Sequence, residues 1–157
     1  MKYSQQLIRS FLMCCLLFLG LTQVACGTNK NEVFFLITEE EAAADDAKDI
    51  FIRKADGPEI IVHKPDSKTP FSGPISMHIE FVPGKNGQAV NMKTLIVRYK
   101  KFEALNITNR FSEFVTDNKI LIPEFDLPSG RHNLEFSIRD SSGKWSSQLI
   151  SIRRNES

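Results

Sequence analysis

Apolar and polar side chains alternate along much of this chain, and the clearest case lies near its C-terminal end. Leu134, Phe136 and Ile138 alternate with Asn133, Glu135, Ser137 and Arg139, the period-two pattern of a strand with one face buried. Pro128 and Gly130 punctuate the turn before it. Asp140-Ser141-Ser142-Gly143 follows, and its Asp and Gly suit a type I turn closed by a left-handed glycine. The same alternation sets Met77, Ile79 and Phe81 against His78 and Glu80, which predicts a strand over Ile75–Val82. Further strands are predicted at Glu59–His63, Leu95–Tyr99, Lys119–Pro123 and Ser146–Arg153. Asn106–Val115 reads as a short strand followed by a helical turn. Pro65–Pro74 and Pro83–Gly87 are loop and turn. About seven strands in roughly 100 residues, with no long helix, predict an all-β antiparallel sandwich over residues 58–154.

The region ahead of the strands reads differently. Thr38 and Glu41 form a capping box, and the alanines behind them predict a short helix over Glu39–Asp49. Ile37, just before the cap, is placed to act as a hydrophobic staple. The apolar run Val33–Ile37 has two readings, an edge strand or plug on the main domain and a partner-binding strand. Exposed, it would be an aggregation hazard, so a cover is expected.

Charge and cysteine usage narrow the class. Twenty Lys and Arg face nineteen Asp and Glu, so no global field draws the chain to nucleic acid. The balance is uneven, with seven acids and two bases over Thr28–Ile50, the pattern of a solvated linker. Cys14, Cys15 and Cys26 are the three cysteines, so no disulfide is expected in the strand region. Lys2 and Arg9 precede an apolar stretch over Phe11–Val24. As a helix it would span about 21 Å, short of the ~30 Å hydrocarbon core, which predicts an export signal over residues 1–25.

Val24-Ala25-Cys26-Gly27 resembles the lipobox of bacterial lipoproteins, with Gln23 where that family usually carries Leu. The resemblance implies cleavage before Cys26 and lipidation of Cys26, leaving residues 26–57 as a lipid-anchored acidic linker with its short helix. Gly27 in place of Asp implies the outer membrane, with the protein facing the periplasm. Lipidation also removes a lone thiol from an oxidising compartment. The stretch Leu127-Pro128-Ser129-Gly130-Arg131-His132, followed by Ile138-Arg139-Asp140-Ser141-Ser142-Gly143, resembles the last hairpin of bacterial Ig-like domains. It implies an Ig-like β-sandwich, without the cysteine pair and third-strand tryptophan of antibody domains.

Candidate chemistry is sparse. His78 and Glu80 share one strand face, but no third ligand is marked by spacing, so no metal site is expected. Asp117, Asp126 and Asp140 lie at predicted turns, where Asp bonds its own backbone. His132 is expected to cap its turn by hydrogen bonding. No nucleophile elbow, phosphate loop or His-Glu-x-x-His pattern is present, so neither an enzyme nor a cofactor is expected. Tyr99, Phe102 and Trp145 are the candidate ligand-binding aromatics. The expected function is a non-catalytic envelope module that binds or spaces proteins, with the membrane and envelope proteins as partners and no nucleic acid. The alternatives are a carbohydrate-binding module, which needs at least two of those aromatics exposed on one face, and an accessory or inhibitor of an envelope enzyme acting through Pro65–Pro74.

Overall fold

The computed structural model describes residues 33–47, 56–101 and 103–156. The leader, Cys26 and Phe102 lie outside these residues. Among the described residues the secondary structure is one short helix, α1 (Glu39–Ala43), one 3₁₀ helix (Thr108–Phe114) and eight strands. The strands are β1 (Glu59–Lys64), β2 (Ile75–Val82), β3 (Val90–Tyr99), β4 (Leu105–Asn106), β5 (Val115–Thr116), β6 (Lys119–Phe125), β7 (Gly130–Asp140) and β8 (Trp145–Arg154). They form two antiparallel four-stranded sheets, ordered β1-β2-β6-β5 and β4-β3-β7-β8. The chain is therefore mostly β, with eight strands where about seven were expected; β4 is the short strand expected near Asn106, and the two-residue β5 is the addition.

One core is shared by both sheets. Met77, Ile79 and Phe81 from β2 and Ile120 and Ile122 from β6 meet Val97 and Tyr99 from β3 and Leu134, Phe136 and Ile138 from β7. All are buried, and all occupy the inward positions of the alternation. Each contributes roughly 1.5–3 kcal/mol on burial before chain entropy is subtracted. Phe111 on the 3₁₀ helix closes the same core, its ring edge-on to Phe136 at 5.6 Å.

Two expectations need correction. The helix stops at Ala43, not Asp49, and Ala44 is already extended. Asp45 and Asp46 follow directly, and acids oppose the dipole at a helix C-terminus. Asp46 instead bridges to Lys101, with Nζ 2.9 Å from Oδ1. The third strand starts at Val90, five residues before the predicted Leu95. Its register with β7 shifts between Asn91 and Ile96, which breaks the alternation that would have revealed it.

Val33–Ile37 plugs the body. The Asp126 amide donates to the Phe34 carbonyl at 2.9 Å, and the Leu36 amide donates to the Asp126 carbonyl at 3.2 Å. Leu36 and Ile37 are fully buried, so the plug belongs to the same compact unit as the strands. The capping box is present, with the Glu41 amide on Thr38 Oγ1 and the Thr38 amide on Glu41 Oε2. Arg110 of the 3₁₀ helix then grips this segment. Its guanidinium donates to both Glu41 oxygens, at 2.5 and 2.8 Å, and to the Leu36 carbonyl at 2.7 Å.

At the far end, Gly57 lies so close to the Trp145 backbone that an added Cβ would sit 2.5 Å from the Trp145 carbonyl carbon. Gly84 packs against Gly57 in turn. Only glycine allows these three backbones to approach.

Candidate functional site

The candidate aromatics separate. Tyr99 is fully buried, which corrects its reading as a ligand platform. Its position is inward on β3, and its hydroxyl lies 3.0 Å from His132 Nδ1. His132 is itself buried, and its Nε2 lies 2.8 Å from the Pro128 carbonyl. A carbonyl only accepts, so Nε2 carries the proton and Nδ1 accepts from the tyrosine. His132 thus ties the turn at Pro128, as expected, and also holds Tyr99, which the sequence did not reveal. Burial pushes the tyrosine hydroxyl's pKa up and His132's down.

Trp145 opens β8 and is partly exposed. It borders a groove of about 230 Å³ on the outer face of the β4-β3-β7-β8 sheet, together with Thr94, Ile96, Arg98, Ser137 and Arg139. The register explains the grouping: Ile96 pairs with Ser137, and Arg139 pairs with Trp145. Thr94 Oγ1 accepts the Arg139 amide at 2.9 Å and donates to the Asn91 carbonyl at 2.7 Å, which locks the bulged part of β3 to β7. Among the described residues, neither the Arg98 nor the Arg139 guanidinium has an ion-pair or hydrogen-bond partner. Glu135 is the acid opposite Arg98, and its carboxylate faces Lys100 Nζ at 3.4 Å. The groove needs three strands to be assembled, so no local pattern marks it.

Other polar clusters are occupied. Asp140 Oδ1 accepts the Ser142 and Lys144 amides, Oδ2 accepts Asn86 Nδ2 at 2.7 Å, and Gly143 takes the left-handed conformation (φ 85°). The Asn86 bond, foremost among these, holds the Asp140 pKa below its usual value. Asp126 accepts from its neighbour Leu127 and from Arg154. Both acids play the turn role read from the sequence. On the other sheet, Glu80 engages His63 at 3.2 Å and Lys119 at 3.2 Å, in place of His78 on its own strand. These bonds, His63's first, depress the Glu80 pKa. His78 stacks against His63, with ring centroids 4.4 Å apart. No group of three or more His, Cys, Asp or Glu side chains among the described residues is placed to hold a metal ion. The Pro65–Pro74 loop is exposed over Asp66–Pro70 and pinned at Phe71, whose amide donates to the Arg153 carbonyl.

Comparison with known protein families, with curated proteins and with solved structures gives no match to this chain.

Proposed function

We propose that this chain is a non-catalytic lipoprotein of the bacterial cell envelope, whose Ig-like domain binds or spaces protein partners at the membrane surface. The observation that carries this reading is the attachment of the segment following Cys26. Only Gly27–Glu32 separates the proposed lipid site from the described plug. Leu36 and Ile37 then enter the core, and Arg110 and Lys101 bind Glu41 and Asp46 behind them. A lipid at Cys26 would therefore tether the body to the bilayer through a short stretch of chain. Two antiparallel sheets and the Asp140–Gly143 hairpin turn are compatible with the Ig-like class.

The test is intact-mass measurement of the protein extracted from membranes. A species beginning at Cys26 and heavier by its acyl chains is expected, and Cys26→Ser should release the protein from the membrane fraction. Wild-type protein recovered free in periplasmic fluid would sink the anchor.

The carbohydrate reading is favoured by one observation, the partly exposed Trp145 over its groove. The aromatic platform it required is reduced by the burial of Tyr99.

A further inference from the structure

We infer that the Trp145 groove is a binding site for an acidic saccharide, a sugar carrying a carboxylate. This deepens the carbohydrate reading and rests on it. Three features converge there. Arg98 and Arg139 both line the groove, and neither guanidinium forms an ion pair among the described residues; Glu135, opposite Arg98, is engaged by Lys100. Strand spacing of roughly 3.3 Å per residue puts about 13 Å between their level on β7 and β3, a gap their long side chains narrow from both sides. Between them lie Ile96 and the Ser137 hydroxyl, which has no hydrogen-bond partner among the described residues. Trp145 closes one wall.

Each feature matches one part of the ligand. An unpaired guanidinium presents a planar fork that fits a carboxylate bidentately. An indole beside an aliphatic floor suits the apolar face of a sugar ring. A free hydroxyl suits the ring's own hydroxyls. The groove's volume of about 230 Å³ holds one ring-sized group. An acidic peptide fits less well. A peptide that adds to a sheet needs an open strand edge, and β7 is paired on both sides beneath this groove.

Trp145 is the only tryptophan of the chain, so its fluorescence reports on the groove directly. The full chain in detergent micelles should be titrated with trigalacturonate, with neutral galactotriose and with hexaglutamate. Trigalacturonate should change the emission saturably, and binding should weaken as NaCl rises. Galactotriose should bind at least tenfold more weakly. Arg98→Gln and Arg139→Gln should each cost about tenfold in affinity, with the melting temperature unchanged. If either variant melts early, the wild-type comparison of acidic and neutral sugars decides alone. Equal binding of the two sugars would overturn the acidic assignment and leave the carbohydrate reading standing. Hexaglutamate binding as tightly as trigalacturonate would overturn the sugar class. No saturable response to any sugar, with no heat of binding by calorimetry, would remove both.

Discussion

His132 shows how much one buried side chain can hold. Its two ring nitrogens join the Pro128 carbonyl to the Tyr99 hydroxyl, and the latter is 33 residues away in sequence. Charging the ring would put a second proton on Nδ1, where the tyrosine now donates. Burial is the largest cause that lowers its folded-state pKa below 6.5. Below about pH 6.5 the unfolded chain takes up a proton that the folded ring resists. Stability from this site is therefore complete above pH 6.5 and declines as pH falls toward the depressed folded value. His132→Phe should cost about 1–3 kcal/mol at pH 7, because it strands a buried hydroxyl and carbonyl. It should also flatten the fall in stability between pH 6.5 and 5. Urea titrations of both proteins at the two pH values check this, and an unchanged slope in the variant would refute it.

At the scale of elements, the plug and α1 are held by one cation. A five-residue helix is too short to persist alone, so α1 depends on its cap and on Arg110. The Arg110 hydrogen bonds hold the Glu41 carboxyl at about 2, well under its usual 4.5. A depressed carboxylate stabilises above its unfolded pKa, and that stability is lost as pH falls from about 4.5 toward 2. Arg110→Gln should remove this acid-side component and cost about 1 kcal/mol at neutral pH, since the pair is partly solvated. Hydrogen exchange should quicken at the Leu36 and Asp126 amides and stay slow across β7 and β8. Faster exchange everywhere would mean that Arg110 supports the whole body.

At the scale of the molecule, the plug belongs to the same core as the sheets. Leu36 sits near the β6–β7 loop, and Trp145 follows the turn at the opposite end of β7. The ten residue steps along β7 set these ends about 33 Å apart. Leu36→Ala should cost about 2–5 kcal/mol by leaving a cavity. Because one core unfolds as a unit, the denaturation midpoint read from Trp145 fluorescence should fall with it. A Trp145 transition left in place while circular dichroism shifts would show two independent parts.

The sequence by itself determined what depends on near neighbours. Alternation gave β2 its bounds and β7 its inward set, because side-chain direction reverses at every residue. The Thr38–Glu41 cap and the Asp140–Gly143 turn were legible for the same reason, their hydrogen bonds spanning three or four residues. The tertiary structure alone decided what depends on distant partners. Nothing local marks Arg110 as the grip on Glu41, 69 residues earlier, or separates buried Tyr99 from partly exposed Trp145. The groove needs residues of β3, β7 and β8 in one register. Strand pairing sets that register, and it selects among many pairings by the total apolar burial that only the closed sheets achieve.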